Sequence, residues 1–80
     1  DMKQIRKFIY GIRFNYAVNK ANKLAKRYGR KYVVINRRGK LVVIAKKRLT
    51  ELVRQKYFRP GVTAGDIERK ALHVALPKSK

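Results

Sequence analysis

Apolar side chains recur at helical spacing along residues 2–28, but they change sides part of the way along. At 100° per residue, one face carries Ile5, Phe8, Ile9, Ile12 and Tyr16. A face roughly opposite carries Ala17, Ala21, Leu24, Ala25 and Tyr28. A straight helix cannot bury both groups against one core. The pattern therefore predicts a break between Gly11, a weak helix former, and Ala17, with Asn15 as a good N-cap.

This break divides the chain into three predicted parts. Residues 1–14 form a basic amphipathic arm, residues 15–76 form a small domain that begins with a helix over 16–28, and residues 77–80 form a frayed tail. The alternative is one continuous helix that lies between two partners. In both cases the apolar group of the arm needs a surface outside the domain. The predicted partner-binding residues are Ile5, Phe8, Ile9 and Ile12.

A β-hairpin is predicted directly after this helical region. Gly29 is a good helix stop, and the runs Lys31–Ile35 and Leu41–Ala45 have the β-branched content of strands. The short linker between the two runs contains Gly39. We expect a type I turn that places this glycine in the left-handed conformation.

Two further helices and a strand are predicted in the second half of the chain. Lys46–Tyr57 has apolar residues at helical spacing, and Pro60 and Gly61 follow it. Thr63 and Asp66 resemble a capping box for a short helix over 64–70. Apolar alternation over Ala71–Leu76 predicts a third strand.

Together these elements predict an α+β fold, with a small, mostly antiparallel three-stranded sheet packed on helices that cover one face. The residues expected on the covered sheet face are Leu41, Val33, Ile35, Val43, Leu72, Val74 and Leu76. The helix residues expected to meet them are Leu24, Leu49, Leu52 and Val53.

The charge of the chain points to a polyanionic partner. Among 80 residues, 23 are Lys or Arg and 4 are Asp or Glu, which gives a net charge of +19. A free monomer with this charge repels itself, and nucleic acid relieves that repulsion. The excess is uneven, because residues 1–48 hold sixteen basic residues and one acid. We therefore expect the partner to lie against the first half of the chain.

The sequence offers little for catalysis. It contains no Cys, a single His and no glycine-rich phosphate loop, so neither a metal site nor a bound cofactor is expected. His73 has no nucleophile motif near it, and Asp66 and Glu68 suit a helix start. We expect a protein that is not an enzyme. Nothing resembles a cleaved signal peptide or a membrane-spanning run.

Basic residues interleaved with aromatic residues form the remaining constellation, and cations and rings suit phosphates and unpaired bases. Tyr28, Tyr32 and Tyr57 are expected in the core, whereas Tyr10 and Phe14 on the arm are freer. The predicted nucleic-acid-binding residues are Lys20, Lys23, Lys26, Arg27, Arg30, Lys31, Arg37, Arg38, Lys40, Lys46, Lys47 and Arg48. At the hairpin tip, Arg37, Arg38 and Lys40 would be held toward phosphates by a rigid turn.

The chain also resembles a family of small proteins encoded by gut microviruses, which are single-stranded DNA phages. The resemblance covers about residues 21–75 and rests on short motifs at Leu24, Gly29, Tyr32, Gly39–Val43, Asp66–Glu68 and Val74. It implies a phage context and a role in handling or packaging the genome. It implies no catalytic role.

Three functions follow as hypotheses. The first is a virion protein that contacts the packaged single-stranded DNA genome and the inner capsid surface, placed in the virion interior or the host cytoplasm. The second is a ribosomal or ribosome-associated protein that binds rRNA, which contacts to 2′-hydroxyl groups would mark. The third is a membrane-surface protein, because residues 2–14 form a basic amphipathic segment. A transcription regulator is a further, weaker alternative.

Overall fold

The computed structural model describes residues 2–77 and has the predicted α+β fold. Along the chain it contains α1 (Met2–Tyr28), β1 (Tyr32–Arg37), β2 (Lys40–Ala45), a 3-10 turn (Lys46–Arg48), α2 (Leu49–Arg54), α3 (Ala64–Arg69) and β3 (His73–Ala75). The order of helices and strands is therefore confirmed. Most of the predicted tail, residues 78–80, lies outside the described residues, as does Asp1.

Helix α1 is continuous, so the predicted break between Gly11 and Ala17 is wrong. A glycine within a helix costs about 1 kcal/mol relative to alanine, which is too little to end a helix that already propagates on both sides. The predicted stop at Gly29 is confirmed, since this residue has φ +64°. The amide of Arg30 donates to the carbonyl of Ala25 at 3.2 Å, as in a Schellman ending.

The sheet has the order β2-β1-β3 and both pairings are antiparallel. Val34 of β1 pairs with Val43 on one side and with His73 on the other. Because successive side chains of a strand point to opposite faces, Val33 and Val34 are on different faces of the sheet. Both are fully buried, so both faces are covered.

The helices lie on both faces, and the prediction that they cover one face is wrong. On the first face, α1 packs its alanines Ala17, Ala21 and Ala25 against Val34 and Ala75. On the second face, Leu49 and Leu52 of α2 pack against Val33, Ile35 and Ile44. Uninterrupted apolar runs such as those of β1 and β2 are typical of strands that are buried on both faces.

The predicted set of core residues is partly right, but its members are divided between the two faces of the sheet. Leu41 and Val43 pack on the α1 side, whereas Val33 and Ile35 pack on the α2 side. The predicted core residues Leu72 and Leu76 are 45% and 55% exposed, so that part of the prediction is wrong. Strand β3 is only three residues long, and both leucines lie outside its bounds.

The hairpin turn differs in type from the prediction. Arg37 pairs with Lys40, which leaves a loop of two residues, and both of them have positive φ: Arg38 at 55° and Gly39 at 83°. This combination is that of a type I′ turn, whose twist matches the strands better than a type I turn does. The amide of Gly39 also donates to Asn36 Oδ1 at 2.9 Å, which fixes the tip.

Candidate nucleic-acid interface

The acidic residues of the described chain all lie in the α2–α3 layer, and each is engaged. Glu51 accepts hydrogen bonds from Arg54 Nη1 at 2.6 Å and from Gln55 Nε2 at 3.0 Å. Glu68 Oε1 lies 3.5 Å from Lys46 Nζ. Residues 2–48 contain no acid at all. The second half of α1 and the hairpin therefore present positive charge with no acidic residue in their own segments.

Asp66 serves the start of α3, and the predicted capping box is confirmed. Its carboxylate accepts from the Thr63 amide at 3.1 Å, while the Thr63 hydroxyl accepts from the Asp66 amide at 3.1 Å. The hydrogen bond from the Thr63 backbone, followed by that from its side chain, holds the pKa of the Asp66 carboxyl below its usual value. Arg69 also pairs with this carboxylate. The carboxyl thus stays ionised as a cap.

The second half of α1 carries an exposed basic surface on the side turned away from the sheet. Its cations are Lys20, Lys23, Lys26 and Arg27, and all four are exposed. They lie away from the buried alanines because α1 turns 100° per residue. Tyr28 was expected in the core, but it is 54% exposed, and the Arg27 guanidinium lies 5.6 Å from its ring centroid. The aromatic ring of Tyr28 and the four cations of α1 therefore lie on the same exposed surface.

A second group of cations lies at the base of the hairpin, where the strands β1 and β2 are farthest from the turn. The amide of Lys46 donates to the carbonyl of Lys31 at 2.9 Å, which brings the two ends together. The exposed cations of this group are Arg30, Lys31, Lys46, Lys47 and Arg48. Lys46 is partly neutralised by Glu68, as described above.

The third group lies at the hairpin tip, and its members differ in freedom. Arg38 and Lys40 are exposed. Arg37 is half-buried: its Nε donates to the carbonyl of Tyr57 at 3.1 Å, and its guanidinium lies 3.8 Å from the centroid of the Tyr57 ring. Arg37 is thus held in place, whereas the exposed side chains of Arg38 and Lys40 are open to a ligand. Tyr57 packs against the core on the α2 side, as predicted.

Beside the tip is an open cavity of about 910 Å³ on the α2 side of the sheet, which we call the tip depression. The hairpin contributes Arg37 and Arg38, and the segments that follow α2 and α3 contribute Lys56, Arg59 and Lys70. These last three cations were not among the predicted binding residues. No local spacing connects them with the hairpin, since only the packing of α2 and α3 on the sheet brings them there.

The twelve predicted binding residues therefore do not form one cluster. The base and the tip of the hairpin are separated by the length of a six-residue strand, which is about 20 Å. The outer surface of α1 forms a third area on the other layer. A flexible chain that follows the surface can contact all three areas, whereas a single compact ligand cannot.

The first half of α1 has a different surface. Its apolar residues are largely exposed, at 55% for Ile5, 70% for Phe8, 41% for Ile9 and 55% for Ile12; we call these four the outer apolar stripe. On the side toward β2, a groove of about 840 Å³ runs between the helix and the sheet edge. The helix contributes Ile9 and Arg13 to this groove, and the strand contributes Leu41 and Val43. The aromatic residues Tyr10 and Phe14 stack on each other with centroids 6.4 Å apart.

Other features of the described residues are plain. His73 is half-buried, and its Nε2 lies 3.0 Å from Asn22 Oδ1, so it joins β3 to α1. Within residues 2–77, no three His, Cys, Asp or Glu side chains are grouped so that they could hold a metal ion. None of the helices in this range has both the length and the apolar character needed to cross a membrane.

Comparison with known proteins adds no relative. No protein-family model, no curated protein and no solved structure matches this chain.

Proposed function

We propose that this protein is a non-enzymatic structural protein that binds nucleic acid through its phosphates, and that its ligand is the packaged single-stranded DNA genome of a phage. The observation that carries the proposal is the separation of charge between the layers. The described acids sit in the α2–α3 layer, where Glu51 and Asp66 are paired, and Glu68 pairs with Lys46; residues 2–48 contribute sixteen cations and no acid. Lys and Arg arranged in this way displace the counterions of a polyanion.

The proposed contacts follow the surface of the molecule. The basic second half of α1 and the base of the hairpin bind phosphates, and the tip binds them with Arg38 and Lys40. Because these areas point in different directions, the ligand must bend between them. Single strands bend over such distances far more easily than a duplex, whose persistence length is about 150 base pairs.

A protein partner is proposed for the outer apolar stripe. Four large apolar side chains exposed on one helix face are a common mark of a binding surface. Arg6 and Arg13 flank the stripe, and the described acids of the chain are engaged in pairs. A second copy of the chain thus offers no free carboxylate among those residues. The partner is therefore a surface that is both apolar and acidic, such as the inner wall of a capsid protein.

The resemblance to microvirus proteins gives this arrangement its setting, the virion interior. A protein there must hold the genome on one side and the capsid on the other. The two halves of α1 supply two such surfaces on one rigid rod of 27 residues. Binding to rRNA is the competing function, and it predicts a preference for RNA of matched sequence through the 2′-hydroxyl groups.

The direct test is binding of random-sequence oligonucleotides, measured by fluorescence anisotropy over a range of salt concentrations. If about six phosphates are neutralised, the logarithm of affinity should fall against the logarithm of salt concentration with a slope of about −4 for single strands. Single-stranded DNA, single-stranded RNA and duplex DNA are compared at equal length. A flat slope contradicts the phosphate-binding proposal, and a strong preference for RNA favours the ribosomal function.

A further inference from the structure

Two non-glycine residues in the described chain have positive φ, and both border the tip depression. They are Arg38 at 55° in the hairpin turn and Lys56 at 63° after α2. The two are 18 positions apart in sequence and belong to different elements. Both are basic, although Gly and Asn are the residues that adopt this conformation at least cost.

Unfavourable backbone conformations of this kind persist only where the surrounding structure enforces them, and they gather at active sites and ligand-binding sites. At position 38 an Asn would form the preferred type I′ sequence with Gly39. At position 56 a Gly would relieve the conformation altogether. The chain instead places a long cation at each position, and both cations line the same cavity.

The wall of the depression carries a flat cation on an aromatic ring. Arg37 lines the cavity, and its guanidinium carbon lies over the Tyr57 ring, 3.8 Å from the ring centroid. Its Nε donates to the Tyr57 carbonyl, which holds the side chain beside the ring. A guanidinium held over a ring in this way can also stack with a second planar group.

The other residues that line the tip depression suit a ligand with an apolar, planar part and an attached anionic group. Phe58 packs edge-on against Tyr57 with centroids 5.0 Å apart, and Ile67 and Leu72 add apolar surface to the lining. Arg59 and Lys70 add two more cations. Asp66 also lines the cavity, but its carboxylate is occupied by Thr63 and Arg69.

We propose that the tip depression binds one unpaired nucleobase of a single strand, which stacks on the Arg37 guanidinium while Arg38 and Lys56 hold the phosphates on either side of it. This site deepens the proposed function and rests on it, because cations elsewhere on the protein surface bind the phosphates of the strand and bring it to the tip. Bases inside a duplex are stacked on one another and cannot enter the cavity. The site therefore selects single strands, and it joins cations from both halves of the chain.

The test compares oligothymidylate with an abasic strand of the same length, which carries the same phosphates and no bases. The wild-type protein should bind oligothymidylate about fivefold or more tightly, the lower end of what stacking of one base contributes. The variant Arg37→Lys keeps the charge but removes the flat guanidinium on which the base stacks, so it should lose this preference. Arg38→Asn with Lys56→Gly removes phosphate contacts that both strands make, so it should weaken binding of both. Asn and Gly suit positive φ, so thermal melting of this double variant should be unchanged or higher. The melting temperature of Arg37→Lys is measured as well, which separates loss of the site from loss of the fold.

The matched control is Lys23→Gln with Lys26→Gln, which removes two cations from the outer surface of α1. It should bind both strands more weakly and keep the preference for bases. Equal binding of the two strands by the wild-type protein overturns the base site and leaves phosphate binding intact. A preference that survives Arg37→Lys also overturns the site. Absence of binding to either strand contradicts the proposed function itself.

Discussion

The two halves of α1 are parts of one uninterrupted helix, yet they have opposite relations to the rest of the molecule. In the second half, Ala17, Ala21 and Ala25 are buried against the sheet, and the outer surface is basic. In the first half no described residue is fully buried, and the large apolar side chains are largely exposed. Apolar character is thus a poor guide to burial here, because the smallest apolar residues are the covered ones.

The difference shows what the sheet requires of the helix that covers it. Alanine lets the helix axis come close to Val34 and Ala75, and a phenylalanine in the same place would push it away. The large residues of the first half have no such surface to meet. We infer that they are kept for contacts with another molecule, and the following experiments set one half against the other.

The largest contrast is expected from a charge placed in each half. Ala21→Asp puts a carboxylate at a position with 0% exposure, and an unpaired buried charge costs several kcal/mol. A protein of this length has a total stability of roughly 4–12 kcal/mol, so cooperative thermal melting should be lost. Ile9→Asp, at 41% exposure, should melt as the wild-type protein does. Circular dichroism measures both, and similar losses would show that the first half also belongs to the core.

Deletion of residues 1–14 should separate folding from assembly. We expect the thermal melting of residues 15–80 to stay nearly the same, because the deleted side chains are largely exposed. Incorporation into the phage particle of the proposed function should be abolished, since the deletion removes the outer apolar stripe. Calorimetry and analysis of purified particles check the two results. Loss of the cooperative transition would contradict the assignment of the first half to a partner.

Equal losses of charge in the two halves should have unequal effects on nucleic-acid binding. Changing Lys20, Lys23 and Lys26 to Gln should make the salt slope shallower by about 2, as three phosphate contacts are lost. Changing Arg6, Lys7 and Arg13 to Gln removes the same charge from the half assigned to the protein partner. Its slope should change less. Identical slopes in anisotropy titrations would mean that only total charge matters.

The smallest contrast comes from a pair of glycines. Gly29→Ala forces a Cβ into a residue with φ +64°, which costs about 1 kcal/mol and lowers the melting temperature by about 4–8 °C. Gly11→Ala meets no atom within 4 Å and favours the helix by about 1 kcal/mol. It should raise helix content and leave the melting temperature of the domain unchanged. A higher melting temperature for Gly11→Ala would show that the halves are coupled.

The sequence predicted those features of the fold that depend on neighbouring residues. The glycine stop at Gly29, the capping box of Thr63 and Asp66, and the β-branched runs that mark the first two strands are all local signals. The continuity of α1 was missed because the pattern of side chains reports what a helix packs against, and two packing surfaces need not mean two helices. The sequence pattern placed Val33 and Val43 on the same covered face of the sheet. The register instead pairs Val33 with Ile44 and Val34 with Val43, so Val33 and Val43 lie on opposite faces.

The candidate site was only partly open to prediction for the same reason. Net charge and its bias toward residues 1–48 are properties of composition, so the basic surfaces could be proposed at once. The contact between Arg37 and Tyr57 joins residues that are 20 positions apart, and no spacing rule connects them. The positive φ of Lys56 likewise depends on how the chain leaves α2. Both features, and the depression they border, required the tertiary structure.

The central position of β1 also sets the order in which the protein folds. Its pairing with β2 closes a two-residue loop, and hairpins of this kind form in about 1–10 μs. Its pairing with β3 joins Val34 to His73, about 40 residues later, and closing such a long loop is slower. Until His73 has left the ribosome, one edge of β1 is open to any extended segment of another chain. We expect newly made chains to be most prone to aggregate in that interval, and a partner that covers the edge would act as a chaperone.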